Sequence, residues 1–281
     1  MAQIIDGKAI STQIKDECKE KVEILKGKGI EVCLAVIQVG EDPASSVYVN
    51  NKKKACEYIG AKSLSYHLEE NTTQDELLTL IDKLNNDDSV HGILVQLPLP
   101  KGFDEDLVIK SINPDKDVDG FHPINVGRLS IGQKGFVSCT PAGIVQLLKR
   151  SGVEIAGKEC VVIGRSNIVG KPMSMLMLKE SATVTICHSK TKNLQEVCKR
   201  ADILIVAIGK PRMIDASYVK DGAVVIDVGI HRIEGEAKKL CGDVDFDSVE
   251  PVASMITPVP GGVGPMTIAM LMNNLVDSKW E

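Results

Sequence analysis

The 281-residue chain has few aromatics, no excess of positive charge, no closely paired cysteines and no long apolar run. Phe, Trp and Tyr together make up 3% of it. Lys plus Arg number 33 against 38 Asp plus Glu, for a net charge of −5. A general nucleic-acid binder needs a basic track and stacking rings, and this composition supplies neither. No stretch reaches the ~20 apolar residues that span a bilayer. The start, Met1-Ala-Gln-Ile-Ile-Asp6, carries charge too early for a secretory signal. The eight cysteines are scattered, without a C-x-x-C pair or a His at zinc-ligand spacing, so no metal site is expected. Several sit in apolar runs, such as Cys33 in VCLAVIQV and Cys160 in ECVVIG. They read as reduced core thiols of a cytoplasmic protein. The expected partners are small molecules or further protein subunits, with no nucleic acid and no membrane.

What is present is an ordinary globular composition, 43% hydrophobic and 25% charged. The length favours about two domains, at roughly 100–200 residues each. Short apolar, β-branched runs read as buried parallel strands at Val32–Val39, Ile93–Leu97, Cys160–Ile163, Thr183–Cys187, Ile203–Ile208 and Val224–Val228. Helical patterns lie between them. Ile10, Ile14, Cys18, Val22 and Leu25 recur at spacings of four or three, forming one stripe. Thr73-Gln-Asp-Glu76 is a capping box, and Thr140-Pro141 reads as an N-cap followed by a first-turn proline. This alternation means an α/β fold with largely parallel sheets. Residues 113–139, rich in Gly, Pro, Asn and Asp, have no sustained period and read as a long loop at the domain boundary. The tail Met266–Val276 reads as a last helix.

In the second half, Val161-Val-Ile-Gly-Arg-Ser-Asn-Ile-Val-Gly-Lys-Pro172 is a strand, a glycine turn and a helix start. That context offers backbone N–H groups and a helix N-terminus to a phosphate. The spacing is not G-x-G-x-x-G, because Ser166 stands at the second glycine and Gly170 comes late. On spacing alone a plain strand–helix turn stays open. The next strand ends in Cys187-His-Ser-Lys-Thr191, without the carboxylate that an NAD site places on the ribose. Arg165 with this basic turn suits a 2′-phosphate, so NADP is the expected cofactor. Two more strand ends, Ala207-Ile-Gly209 and Asp227-Val-Gly-Ile230, are glycine-marked.

In the first half, Tyr48 and Lys52 lie four apart in the helical stretch Ala44–Ile59 and share a face. Such a pair can stack on an aromatic substrate and supply a proton or charge, while a solvated Lys52-Lys-Lys54 face is the other reading. Gln96 is polar within an apolar run and must find hydrogen-bond partners. Asp115-Lys-Asp-Val-Asp-Gly120 does not fit a calcium loop, but one of its carboxylates can accept from a substrate's N–H edge. Pro258-Val-Pro-Gly-Gly-Val-Gly-Pro-Met-Thr267 forces a rigid, close-approach loop, with a helix from about Thr267.

YVNNK (48–52), VQLPLP (95–100), DKDVDGF (115–121), GRSNIVGKP (164–172) and TPVPGGVGPMT (257–267) occur in this order. Together they resemble the bifunctional methylenetetrahydrofolate dehydrogenase/methenyltetrahydrofolate cyclohydrolase family over essentially the whole chain. The resemblance implies two α/β domains flanking a cleft, the second a Rossmann-type doubly wound parallel sheet. Residues 1–138 plus 266–281 would form the folate-binding catalytic domain, and 139–265 the NADP-binding domain. It implies oxidation of 5,10-methylenetetrahydrofolate with NADP, hydrolysis of the product to 10-formyltetrahydrofolate, and a homodimer. Lys52 would carry protons, tuned by a hydrogen bond to Gln96. Tyr48 and Leu97 would contact the folate, and Tyr48 would help place Lys52. Asp119 would hold the pterin ring, and Pro260 and Gly261 would line the folate pocket. Gly164, Arg165, Ser166, Gly170 and Ser189 would hold the cofactor, with nicotinamide near Thr140 and Ile230. Asp115 and Asp117 stay structural. The rival readings are a monofunctional NAD(P)-dependent dehydrogenase of the same family, a non-catalytic dinucleotide-binding protein and a nucleotide-dependent methyltransferase.

Overall fold

The structure, a computed structural model, describes residues 1–232 and 240–280. The chain begins β1 (Gln3–Ile4), α1 (Gly7–Gly27), β2 (Cys33–Val39), α2 (Pro43–Ile59), β3 (Lys62–Leu68), α3 (Gln74–Asn85) and β4 (Gly92–Val95). It continues α4 (Glu105–Ser111), α5 (Pro123–Ser130), α6 (Cys139–Arg150), β5 (Glu159–Ile163), α7 (Gly170–Lys179), β6 (Thr183–Cys187), α8 (Leu194–Cys198) and β7 (Ile203–Val206). After β8 (Val224–Asp227) come β9 (His231–Arg232), β10 (Leu240–Cys241), α9 (Phe246–Val249), β11 (Met255–Ile256) and α10 (Val263–Asp277). The chain folds into two compact units: residues 12–139 with 268–281, and residues 1–11 with 140–267.

In the first of these, β2 lies between β3 and β4 in a parallel three-stranded sheet. Every residue of β2 is buried, as an apolar run flanked by two strands should be. Helix α3 opens on the expected capping box, Thr73 accepting from the Glu76 N–H while the Glu76 carboxylate takes the Thr73 N–H. Its buried stripe is Leu77, Ile81 and Leu84, packed with Ile37, Ile93 and Val108. Each such side chain contributes roughly 1.5–3 kcal/mol on burial. The expected loop 113–139 is not structureless: α5 occupies its middle, capped by the His122 ring and opened by Pro123.

The second unit holds a parallel sheet of order β1-β11-β8-β7-β5-β6. From β5 the chain goes first to β6 on one side and then to β7 on the other. This reversal is the switch point at which doubly wound sheets bind ligands, outside the carboxyl ends of the strands. The N-terminal segment departs from the expected division. Residues 1–11 sit in this unit because β1 pairs with β11, Gln3 opposite Met255 and Ile4 opposite Ile256. Two other expectations need correcting. Helix α6 starts at Cys139, so Thr140 is inside its first turn and not its N-cap. The last helix starts at Val263, not near Thr267, and takes Gly264 and Pro265 into its first turn.

Candidate active site and dinucleotide pocket

Helix α2 is fixed at both ends. The Asp42 carboxylate accepts from the Ser45 N–H at 2.7 Å, Pro43 opens the first turn, and Gly60 closes the helix in the left-handed conformation at φ 78°. Lys52 is on this helix one turn after Tyr48, whose side chain is 46% exposed. Gln96 directly follows the buried strand β4, and its backbone N–H donates to Ile37 O. Its side-chain amide is oriented by donating to Leu97 O at 2.6 Å, which leaves Oε1 to accept from Lys52 Nζ at 2.9 Å. The polar residue in the apolar run thus finds its partner in the lysine four residues after the tyrosine. Leu97, half-buried, begins the proline segment through a cis bond to Pro98.

The aspartate loop runs beside β4. Asp117 bridges to Ile93 in parallel, and Ile93 N–H donates to Lys116 O. The loop therefore heads toward the strand end that bears Gln96. Asp117 is 2% exposed and spends its carboxylate on the loop, accepting from the N–H groups of His122 and Phe121 and from Asn125 Nδ2. Asp119 is the one of the two whose carboxyl feels the Lys52 charge. Burial raises its carboxyl above the usual range, and the Lys52 charge opposes that rise. Gly120 takes φ 72° where a Cβ would stand 2.5 Å from the Val137 backbone, so the turn after Asp119 needs a glycine. Asn274 of α10 donates to Val118 O at 2.8 Å and Val137 O at 3.0 Å, clamping both sides of that turn. Its role was not read from the sequence, although an amide in the apolar run Met270-Leu-Met-Asn-Asn-Leu-Val276 was a signal.

Pro260 and Gly261 lie in the other unit. Their loop packs on the start of α1, where Gly261 O accepts from the Lys8 N–H and satisfies one of the helix's free donors. A Cβ at Gly7 would meet Gly262 O at 1.8 Å, so the approach is backbone to backbone.

The turn after β5 is also built by close approach. Gly164 has φ 131°, and a Cβ there would lie 2.2 Å from Ala207 O. A Cβ on Gly170 would lie 2.2 Å from Gly164 O. Ser166 stands at the missing second glycine: its Oγ accepts from the N–H groups of Val169, the N-cap of α7, and Gly170, its first residue. Gly164 N–H donates to Cys187 O, which sets the basic turn after β6 beside the glycine turn. Arg165 and Ser189 are both exposed there.

A pocket of about 220 Å³ opens outside β5, β7 and β8, lined by Ser166, Val169, Ala207, Gly209, Val228, Gly229, Ile230, His231 and Asp243. Of the expected cofactor residues, Ser166 and Ile230 line it directly. Thr140 does not: its hydroxyl shares a 2.8 Å hydrogen bond with that of Thr267. A larger cavity of about 410 Å³ lies at the amino ends of β7 and β8, lined by Lys158, Asp202 and Lys220 among others, where the switch-point rule places no ligand.

The fold and this pocket define an α/β protein with a Rossmann-type, nucleotide-binding unit. Family models sharpen that class. Residues 5–119 match the tetrahydrofolate dehydrogenase/cyclohydrolase catalytic domain, and residues 138–281 match the NAD(P)-binding domain of the same family. The chain is 74% identical, over 99% of its length and 99% of the relative's, to the bifunctional protein FolD of Agathobacter rectalis. It superposes with a TM-score of 0.96 on the crystal structure of the bifunctional FolD dehydrogenase/cyclohydrolase of Campylobacter jejuni, at 57% identity and covering 99% and 98% of the two chains. The Trypanosoma brucei FolD structure, solved with NADP and an inhibitor, superposes at 0.93 with 39% identity, covering 99% and 97%. The chain belongs to the tetrahydrofolate dehydrogenase/cyclohydrolase family.

Proposed function

We propose that this protein oxidises 5,10-methylenetetrahydrofolate to the 5,10-methenyl form with NADP⁺, and then hydrolyses that product to 10-formyltetrahydrofolate. The observation that carries the proposal is the cluster of Lys52, Gln96 and Asp119. It joins a proton carrier, a group that aims it and a recessed carboxylate, with Nζ 2.9 Å from Oε1. Bound at the switch point, NADP⁺ supplies the hydride acceptor. The glycine cradle at 164 and 170 leaves room for a phosphate against the backbone, Ser166 and Ser189 add hydroxyls, and Arg165 adds a charge suited to the 2′-phosphate.

The carbon that loses hydride is flanked by two nitrogens, so the developing cation is stabilised within the substrate. Orientation is therefore the protein's main task in the first step. Asp119 accepts from adjacent N–H donors of the pterin ring, and Tyr48 stacks on the folate with Leu97 beside it. Pro260 and Gly261 would contribute to holding the folate, and Thr140 and Ile230 would hold the nicotinamide end of the cofactor. In the second step water adds to the methenyl carbon and loses one proton; the adduct's hydroxyl then loses its remaining proton to become the formyl C=O as the bond from that carbon to one ring nitrogen breaks and the nitrogen gains a proton, with one proton released overall. Lys52 relays these protons at Nζ. Gln96 keeps that atom directed by accepting one of its hydrogens.

The same reading includes a homodimer, tested by light scattering. It also includes a cytoplasmic setting, which the eight free cysteines, seven of them buried, support. The deciding experiment follows the ultraviolet spectrum of protein mixed with 5,10-methylenetetrahydrofolate, once with NADP⁺ and once with NAD⁺. Reduced cofactor forming with NADP⁺, with little methenyl species building up, supports both steps. Persistent methenyl accumulation confines the protein to the dehydrogenase step, and no cofactor reduction refutes the reading.

A further inference from the structure

Two aspartates in the dinucleotide unit are buried and saturated with donors; Asp243 lines the pocket, and neither has been given a role above. Asp243 is 0% exposed. Its Oδ2 accepts from the backbone N–H groups of Ile208 at 2.8 Å and Gly209 at 3.0 Å. Its Oδ1 accepts from the Lys210 N–H and from Nε2 of His231, both at 2.8 Å. Asp227, at the end of β8, is 3% exposed. It accepts from Gly229 N–H at 3.0 Å, Asp243 N–H at 2.9 Å and Val244 N–H at 3.0 Å, and so seats Asp243 itself.

The glycines around the pair exist to let the carboxylates in. A Cβ at Gly242 would fall 1.7 Å from Asp227 Oδ2, and one at Gly229 would fall 2.5 Å from Asp243 Oδ1. The donors come from two separate loops. Residues 208–210 follow β7 and residue 231 follows β8, and both loops wall the 220 Å³ pocket through Gly209, Gly229, Ile230 and His231. A single carboxylate therefore sets the separation of the two walls. Four donors converging on a buried carboxylate is a strong, charge-assisted arrangement that has no slack.

We propose that Asp243, seated by Asp227 and joined to His231, is a positioning residue that holds the two walls of the dinucleotide pocket at the spacing the cofactor needs. The proposal rests on the assignment of this pocket to NADP⁺. Asp243→Asn replaces one acceptor oxygen by an N–H₂, so at least one of the four donors then faces another donor.

The test is NADP⁺ affinity by calorimetry, read beside the hydrolysis rate of supplied 5,10-methenyltetrahydrofolate. Asp243→Asn should weaken NADP⁺ at least tenfold while hydrolysis stays within twofold. His231→Phe should weaken NADP⁺ about threefold, and His231→Gln, which keeps a donor, should restore most of that loss. Unchanged NADP⁺ affinity in Asp243→Asn overturns the proposal. Equal loss of affinity and hydrolysis also overturns it, because that marks general damage. If Asp243→Asn fails to fold, the two His231 variants decide: equal behaviour of Phe and Gln removes the clamp. A wild-type protein that binds NADP⁺ but does not oxidise the folate would sink the proposed function and leave the clamp standing.

Discussion

In the unit around β2, the candidate chemistry is made of side-chain atoms: the Lys52 ammonium on the Gln96 amide oxygen, and the buried Asp119 carboxyl that feels the Lys52 charge. In the unit around β5, the equivalent work falls to the backbone. Gly164 and Gly170 clear space by having no Cβ, Ser166 caps its own turn, and Asp243 organises N–H groups instead of facing a substrate. The difference follows from what each ligand asks. Proton transfer needs one titratable atom in one place, whereas phosphate binding is served by N–H dipoles that any residue can contribute. A side-chain site should fail at single residues and fail almost completely. A backbone-built site should fail gradually, through geometry.

Lys52→Met is the sharpest way to break that comparison. Only the hydrolytic step needs the proton carrier, so cyclohydrolase activity should fall at least ~100-fold. Dehydrogenase activity should remain measurable, within about tenfold of wild type. Steady-state rates of both steps on their own substrates decide it. Equal loss of both would make Lys52 a positional residue and the unit's chemistry less concentrated than argued.

Arg165→Ala probes the other side at a charged side chain. Loss of a charge-assisted contact to a 2′-phosphate is worth ~1.5–3 kcal/mol, or roughly 10- to 150-fold in kcat/KM for NADP⁺. Use of NAD⁺ should change less than threefold. An unaltered NADP⁺/NAD⁺ ratio would leave cofactor selection to the backbone and to Ser189.

The same contrast governs how much the sequence reveals. Buried parallel strands are legible because both faces are covered, so β2, β4, β5, β7 and β8 read as largely apolar runs, with Gln38, Glu159 and Asp227 as single polar positions. β3 alternates partly buried and exposed residues along KSLSYHL and carries no such mark. β1 and β11 are two residues each, too short for any period, and their pairing joins residues about 250 apart. Only the folded sheet moves residues 1–11 into the second unit. Helix α5 hid in a Gly- and Pro-rich stretch because eight residues give little periodicity, though His122-Pro123 was a usable start signal. Gln96 stands out as a polar residue in an apolar run, whereas the Lys52 pattern also suits a solvated face and Asp119 is singled out among the loop's aspartates only by the family resemblance. Asp243 does not stand out, because its importance lies in which N–H groups reach it, and those come from segments 12 to 35 residues away in sequence.

The smallest expected effect sharpens the comparison from inside the side-chain unit. The Asp117 carboxylate organises backbone and amide N–H groups, much as Asp243 organises backbone N–H groups in the other unit. Burial pushes its carboxyl up to about 6, against the pull of the Asn125, His122 and Phe121 donors. Unfolded, the group titrates near 3.9. The folded state thus holds the proton more tightly, and the stability this contributes is complete below about pH 4 and lost as pH rises through 6. Between pH 5 and pH 7 the loss is about 1 kcal/mol. Asp117→Asn cannot titrate, so the stability of wild type relative to this variant should fall by that amount over the same interval. Urea unfolding at the two pH values measures it. Asp227, pushed to about 6 by burial in the dinucleotide unit, should give the same sign in Asp227→Asn. A flat difference for Asp117 with a sloping one for Asp227 would mean that the loop donors keep Asp117 ionised in the fold, and that the two units differ in their buried carboxylates as well as in their sites.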